Sequence, residues 1–395
     1  MTALVIAVLG VGLVLGGVNL HMAAQAGKAA QPPQPGPSAS TVVPSAEPSG
    51  KPRQITILGA GDVIAHQPVW EQARADNNGK GYNFLPVFDG VSATVTAADL
   101  ALCQLDTPIS AAGATPSGYP LFNSPPEILD ALKQAGFDGC SVSGNHQLDR
   151  GFDGIKRTLD AMDKAELGHA GGARTAEEAA TPKIYDVHGV KVAHLSYSYG
   201  FNNLKPPAGK EWAVNPINPT AIKAAARKAR EAKADVVVLS LHWGAENKHV
   251  PNADQERWAK EVLAGPEVDL ILGHHSHSVQ AMEQFGEKWV AYGLGDQVSR
   301  STENLESQRE GVMLRMTLIE AGPGVWRIGK AEAIPTWVEN SPKLRLVELP
   351  KVAADQARSA SARKTSQTAL DRIAGYLRLR GAHLGGLVVV GATGG

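Results

Sequence analysis

Short apolar runs alternate with segments of helical periodicity along most of this chain. Each run is bounded by glycine or by polar residues, which is typical of a buried strand. The runs that predict strands occupy residues 55–58, 100–105, 138–142, 190–197, 235–241, 268–272 and 289–295. Helices are predicted between them over residues 124–136, 155–162, 221–233 and 255–263. This alternation predicts an α/β fold of largely parallel strands with helices on the outside.

The pattern changes after residue 310. An apolar segment from Val312, a turn of Ala-Gly-Pro-Gly and a second apolar segment from Val325 predict an antiparallel hairpin at the edge of a sheet. Beyond Pro350 the chain is expected to form a helix and to end in loose, glycine-rich sequence. We therefore assign residues 54–340 to one domain and residues 341–395 to a C-terminal helix and tail.

The amino-terminal residues have the composition of a targeting segment. Residues 2–18 carry no charge, and an Ala-Gln-Ala sequence similar to a cleavage site follows, so residues 1–26 are expected to be a signal peptide or a membrane anchor. Because no Lys or Arg precedes the apolar run, we expect the true start to lie upstream of Met1. Residues 27–53 are rich in Pro, Ser, Ala and Gly, which predicts a disordered linker. This order predicts a folded domain outside the cytoplasmic membrane, either anchored or secreted.

Charge and cysteine content narrow the possible classes of protein. The chain has 38 Lys and Arg residues against 39 Asp and Glu residues, so no basic excess indicates a nucleic-acid partner. The two cysteines, Cys103 and Cys140, are too few for a disulfide scaffold or a Cys-rich zinc site. Both lie in predicted buried strands, where we expect each to pack as an inert core residue.

Five predicted strands end in side chains of types that bind metal ions. These are Asp62 with His66 nearby, Asp106, Asn145 with His146, His242, and the pair His275 and His277. Each alone has a structural explanation, such as a helix cap, a turn or a histidine buried in the core. A parallel sheet, however, brings the ends of its strands to one edge. Carboxylate, amide and imidazole groups collected there predict a site for Mn, Fe, Zn or Co.

Five sequence motifs in this order resemble those of one family. They are Gly61-Asp62-Val-Ile-Ala-His66, Gln104-Leu-Asp-Thr-Pro108, Ser143-Gly-Asn-His-Gln-Leu-Asp149, Leu241-His-Trp-Gly-Ala-Glu246 and Gly273-His-His-Ser-His277. Residues 54–300 resemble the CapA family of bacterial capsule, or poly-γ-glutamate, synthesis, which belongs to the calcineurin-like metallophosphoesterases. The resemblance implies a sandwich of central β-sheets flanked by helices.

The same resemblance implies a centre of two divalent ions. One ion is expected to be held by Asp62, Asp106, His277 and, with the least secure spacing, His66. The other is expected to be held by Asp106 as a bridging carboxylate, Asn145, His242 and His275. A bridging carboxylate keeps two ions roughly 3.5–4 Å apart, and a water between them then becomes a nucleophile near neutral pH.

Neighbouring residues have implied roles as well. Either His146 donates a proton to the leaving oxygen, or it is a structural histidine behind the ligands. Asp149 and Glu246 either orient a histidine or are solvated carboxylates. His274 is expected to be a non-ligand, packed or hydrogen-bonded at its strand end. The chain also departs from the family at Asp106, where a Glu is usual, and at Gly295-Asp296-Gln297, which replaces Gly-Asn-Phe and is expected to alter the pocket rim.

Two functions follow from this resemblance. The first is a metal-dependent hydrolase outside the membrane, whose substrate is either a phosphoester or an anionic γ-glutamyl polymer. The second is a non-catalytic, metal-containing subunit that binds the polymer or helps to assemble a capsule synthesis complex with membrane-bound partners. The retained His146 and the pair His275 and His277 favour the enzyme. A phosphoesterase acting on nucleic acid is disfavoured because the domain has no basic tract.

Overall fold

The computed structural model describes residues 52–299 and 306–393. The expected signal or anchor segment, and the expected linker as far as residue 51, lie outside these ranges. Arg53, which falls in the expected linker, pairs with Glu320 at 2.7 Å, so the folded part includes it. Among the described residues, no helix combines the length and the apolar character needed to cross a membrane.

Fifteen strands and nine α-helices lie within the described ranges. The strands are β1 (Gln54–Val63), β2 (Leu100–Leu105), β3 (Gly139–Ser141), β4 (Gly168–Ala170), β5 (Lys183–Val187), β6 (Val190–Ser198), β7 (Val236–His242), β8 (Leu270–His274), β9 (Met282–Phe285), β10 (Lys288–Ala291), β11 (Asp296–Val298), β12 (Glu310–Gly322), β13 (Val325–Glu339), β14 (Arg345–Glu348) and β15 (Leu387–Val389). The helices are α1 (Gln67–Asp76), α2 (Leu85–Thr96), α3 (Glu127–Gln134), α4 (Gly151–Lys164), α5 (Ala176–Ala179), α6 (Pro219–Glu231), α7 (Ala253–Leu263), α8 (Leu349–Ala354) and α9 (Ala360–Arg378).

The strands form two sheets. The nine-stranded sheet has the order β14-β13-β12-β1-β2-β3-β4, with β11 beside β1 and β15 beside β13, and the six-stranded sheet has the order β5-β6-β7-β8-β10-β9. The strands β1 to β4 are parallel, as are β6, β7, β8 and β10, while the flanking strands are mostly antiparallel. The predicted α/β sandwich of central sheets flanked by helices is confirmed.

The alternating side chains of the strands build three apolar layers. In β7, Val236 and Val238 pack between the two sheets, whereas Val237 and Leu239 face α6 and α7. A third cluster packs the first four helices against the nine-stranded sheet. Because successive residues of a strand point to opposite faces, a strand covered on both sides must be apolar at nearly every position. This explains why the central strands are continuous apolar runs in the sequence.

The predicted hairpin is present as β12 and β13, but it lies inside the sheet. β12 pairs with β1, and β13 carries both β14 and β15 on its other side. The expected loose tail differs in the same way, because Leu387–Val389 forms β15 and Leu387 and Val389 are buried. The apolar Leu-Val-Val-Val run overrides the nearby glycines, so residues 341–393 continue the domain rather than follow it.

The two cysteines differ from the expectation of inert core residues, because they form a disulfide. Cys103 of β2 and Cys140 of β3 are register partners in adjacent parallel strands, with Cα atoms 4.4 Å apart. That separation is within the range that a disulfide spans. The bond therefore joins the two strands that lead to Asp106 and Asn145.

We expect reduction of this disulfide to destabilise the domain. The bond closes a loop across a sequence separation of 37 residues. A loop of that length predicts a loss of about 3 to 4 kcal/mol in the free energy of unfolding. Urea unfolding of the Cys103→Ala/Cys140→Ala variant, compared with the oxidised protein, measures this loss. Titratable thiols in the unreduced, denatured protein would contradict the pairing.

Candidate metal centre

The ends of strands from both sheets meet at one place. Asp62 lies at the end of β1 and Asp106 follows β2 in the larger sheet, while His242 ends β7 and His274 ends β8 in the smaller one. The sheets are joined there, since the backbone N–H of His275 donates to Asp62 Oδ2 at 2.9 Å. The strand ends thus converge as the sequence predicts.

The first group of donors is formed by Asp106, Asn145 and His242. His242 Nε2 lies 2.9 Å from Asn145 Oδ1 and 3.4 Å from Asp106 Oδ1. A side chain at Gly144 would collide with Asp106 Oδ1, so only glycine lets the Asn145 turn approach the carboxylate. The His242 nitrogen therefore lies close to an oxygen of each of the other two side chains, and this mixture of donors suits a cation.

Asp106 carries the strongest indication that a cation belongs here. Its side chain is buried, and neither of its carboxylate oxygens accepts a hydrogen bond from a described residue. Burial raises the pKa of Asp106, and the charges of Asp62 and Asp296 add to this, although His146 and His277 oppose it. A buried carboxylate without partners is costly in protein alone. A divalent ion would satisfy it, so the donors fit a metal.

A second group joins Asp62, His277 and Asp296. Their ligand atoms all lie within 4.8 Å of one another. His277 Nδ1 is 2.8 Å from Asp296 Oδ1 and 3.8 Å from Asp62 Oδ2. Burial opposes protonation of His277, but the charge and hydrogen bond of Asp296, with the charges of Asp62 and Asp106, raise its pKa to about 10. The excess of negative charge at this point also favours a bound cation.

A third group consists of Glu246, His275 and His277, whose ligand atoms again lie within 4.8 Å of one another. His275 is buried, and its Nδ1 has no hydrogen-bond partner in the described part of the chain. Burial, and the proximity of His277, lower the pKa of His275 to about 3, so its ring is neutral and able to bind a metal. Glu246 is exposed at the rim of this group.

Asp296 is the acidic residue that the sequence prediction assigned only to the pocket rim. It is buried and pairs with His277, and its backbone is the register partner of Asp62 in the parallel pair β1 and β11. The signal was present, because Asp296 directly follows the apolar run at 289–295. The strand-end rule that selected Asp62 applies to it equally.

The remaining predicted residues occupy distinct positions around these groups. His274 Nδ1 lies 3.0 Å from Asp62 Oδ1, so its ring supports that carboxylate. His66 packs edge-on against Phe122, with ring centroids 5.1 Å apart, and belongs to none of the three donor groups. Burial lowers the pKa of His66 to about 4, together with the nearby His277 and His146.

His146 forms a pair with Asp149 beside the donors. Its Nδ1 is 2.8 Å from Asp149 Oδ2, which also accepts the backbone N–H of Phe122. Burial lowers the pKa of His146, but the hydrogen bond and charge of Asp149 and the charge of Asp106 outweigh it, and the pKa is raised overall. Asp149 therefore orients a protonatable imidazole, and His146 lines a cavity beside the donors.

A cavity of about 490 Å³ lies beside the donors, and several of them line it. Its lining includes His66, Asp106, His146, Glu246 and His277. A cavity of this size accommodates a small molecule or one segment of a polymer.

Two further residues of the site follow β6, a strand whose end the sequence prediction did not use. The ring of Tyr199 lies 4.5 Å from that of His275, and 44% of the residue is exposed. Asn202 Oδ1 accepts from Asn145 Nδ2 at 3.2 Å, which turns Asn145 Oδ1 toward His242. Tyr199 thus covers one side of the donors, and Asn202 fixes the amide.

Metal affinity should distinguish the roles of His274, His275 and His277. We expect His275→Ala and His277→Ala each to lose bound metal, because each removes a donor. His274→Ala should retain most of it and lose only about tenfold in affinity, since His274 acts through Asp62. Metal content after dialysis and calorimetric titration measure this, with exposed His188→Ala as the control. Equal losses for all three would contradict the assignment.

Comparisons with known proteins identify the family of this chain. Residues 56–301 match the model of a family described as bacterial capsule synthesis protein PGA_cap. The chain is 31% identical over 174 residues to a capsule biosynthesis protein CapA of Bacillus anthracis, covering 43% of this chain and 42% of the relative. It is 28% identical over 209 residues to a PGA biosynthesis protein CapA of Bacillus subtilis, covering 51% of this chain and 52% of that relative.

The extent of these matches is partial. The chain spans about half the length of the curated relatives that it matches. Among solved structures, a calcineurin-like phosphoesterase YfkN of Bacillus subtilis is 13% identical, with a TM-score of 0.42, over 82% of this chain and 97% of that one. The family match alone covers more than half of the chain, and the chain therefore belongs to the PGA_cap family of bacterial capsule synthesis proteins.

Proposed function

We propose that this chain is a hydrolase that depends on two divalent metal ions and acts outside the cytoplasmic membrane on a capsule or cell-envelope polymer. Its family supports a role in capsule or poly-γ-glutamate biosynthesis. The observation that carries the catalytic part is the buried, unpartnered carboxylate of Asp106 among imidazole and amide donors. The His146–Asp149 pair at the same cavity supplies a group for proton transfer.

The two ions would be Mn, Fe, Zn or Co, given the mixture of oxygen and nitrogen donors. Asp106, Asn145, His242 and His275 would hold one, and Asp62, Asp106 and His277 the other. Asp296, which lies in the second group with Asp62 and His277, either binds that ion or holds the ring of His277. Ions held in this way polarise a substrate oxygen and make water a better nucleophile at neutral pH.

The chain's own residues would act on the proton and on orientation. Asp149 accepts from Nδ1 of His146, which leaves Nε2 as the ring nitrogen that delivers a proton to the leaving oxygen. Asn202 keeps the oxygen of the Asn145 amide toward His242. Tyr199, tied by its backbone N–H to His242 O at 2.9 Å, presents an aromatic face beside the donors. These contacts hold the site in shape before substrate binds.

The proposed substrate is a phosphoester or an anionic γ-glutamyl polymer, and the proposed partners are membrane-bound proteins of capsule synthesis. The formal net charge of −1 gives no support to a nucleic-acid substrate. The Cys103–Cys140 disulfide favours an oxidising compartment, in agreement with an anchored or secreted chain.

The test measures metal content and turnover of the full chain. We expect about two metal equivalents and hydrolysis of either a model phosphoester or poly-γ-glutamate. Asp106→Asn should lose both metal and activity. His146→Ala should keep its metal and lose roughly 100-fold or more in kcat, because only the proton donor is removed. His188→Ala, an exposed histidine, should match the unmodified protein.

The other outcomes are equally informative. Firm metal binding without turnover of either substrate would favour the second function, a metal-containing subunit that binds the polymer or assists assembly. Absence of bound metal from the purified chain, after loading with each of the four metals, would overturn the proposal.

A further inference from the structure

A second cavity, larger than that of the metal centre, lies between the two sheets at their open edges. Its volume is about 590 Å³, and its lining shares no residue with the cavity of the metal centre. The segment that follows β4 forms one wall, the end of β6 forms the floor, and α6 contributes to the mouth. A volume of this size is typical of a site for a small molecule.

Two of the residues that line this cavity contain a buried polar atom without a hydrogen-bond partner in the described chain. They are Ser196 Oγ and His194 Nδ1, and each residue is only 1% exposed. The other ring nitrogen of His194 is 2.9 Å from Ser240 Oγ, which fixes the orientation of the imidazole. A buried polar atom without a hydrogen bond is unfavourable. A ligand that bonds to both atoms would remove this cost.

Two lysines add positive charge to the same cavity. Lys183 begins β5 and Lys228 lies on α6, and neither forms an ion pair with a carboxylate in the described ranges. Lys228 Nζ donates to the backbone oxygen of Ala180 at 3.2 Å, and Lys183 Nζ lies 5.2 Å from the centre of the Tyr185 ring. Neither ammonium group therefore has a carboxylate of the described residues within ion-pair distance.

The acidic side chains of the cavity form ion pairs with an arginine of the same cavity. Asp163 and Glu178 both pair with Arg174, as does Asp160 from outside the cavity. His169 Nε2 also lies 3.1 Å from Asp163 Oδ1. The cationic residues of the lining are Arg174, Lys183 and Lys228, and its carboxylates are those of Asp163 and Glu178. The lining therefore carries one net positive charge, which favours an anionic ligand.

We propose that this cavity is a second ligand site, which binds a small molecule bearing carboxylate or phosphate groups. Lys183 and Lys228 neutralise the anionic groups, and Ser196 and His194 hydrogen-bond to the part of the ligand that reaches the floor. The site takes its ligand without the metal centre, and it goes beyond the proposed hydrolase function.

Calorimetric titration of the full chain tests this site with three probes: succinate, inorganic phosphate and neutral succinamide. Each titration is made with the metal-loaded chain and repeated after chelation, so that anion binding at the metal centre is recognised. We expect succinate or phosphate to bind in both states and succinamide in neither. Preference for succinate identifies a dicarboxylate ligand, and preference for phosphate identifies a phosphorylated one.

Variants locate the binding. Lys183→Gln and Lys228→Gln should each weaken it by about tenfold or more, since each removes a charged hydrogen bond. Lys223→Gln on the same helix α6, whose lysine faces Glu261 instead, should leave it unchanged. Ala224→Trp, at an exposed position of the mouth, should block it, with folding checked by circular dichroism and metal content measured for every variant.

Three results would overturn the proposal. They are the absence of anion binding to the chelated chain, equal binding to all three lysine variants, and binding that survives Ala224→Trp in a folded protein. None of them bears on metal binding or hydrolysis at Asp106, so this site and the proposed function fail separately.

Discussion

The fold places three carboxylates, those of Asp62, Asp106 and Asp296, together in a buried space where few protein cations reach them. Asp62 is satisfied by His274 and by the backbone N–H of His275, and Asp296 by His277. Asp106 receives no hydrogen bond from any described residue. Burial, and then repulsion by Asp62 and Asp296, oppose the ionised form of Asp106 and raise its pKa. A divalent cation would supply the positive charge that this point lacks, and the imidazole and amide groups around it are suitable ligands for such an ion.

The two sheets supply the rigidity that such a site requires. Donors come from strand ends of both sheets, so their separation depends on how the sheets pack through the apolar layer between them. The disulfide between β2 and β3 ties together the strands that lead to Asp106 and Asn145. Gly144 then allows the Asn145 turn to approach the carboxylate. The relative positions of the donor side chains thus depend on packing in other parts of the two sheets.

Most of the central framework was predictable because its signals are local. Asp62, Asp106, Asn145, His242 and the His275/His277 pair each follow an apolar run, and a parallel sheet brings such positions to one edge. The features that the sequence did not reveal depend on the register of strand pairs or on contacts between residues far apart in the chain. The disulfide requires Cys103 and Cys140 to be opposite one another, and the pairing of Asp296 with His277 requires β11 to lie beside β1. Neither alignment is visible in a single sequence.

Crystallography of the manganese-loaded chain, with an anomalous difference map, tests the two-metal centre most directly. We expect two peaks roughly 3.5–4 Å apart on either side of the Asp106 carboxylate. One peak should contact Asn145 and His242, and the other should contact Asp62 and His277. A single peak, or manganese bound away from Asp106, would contradict the central claim.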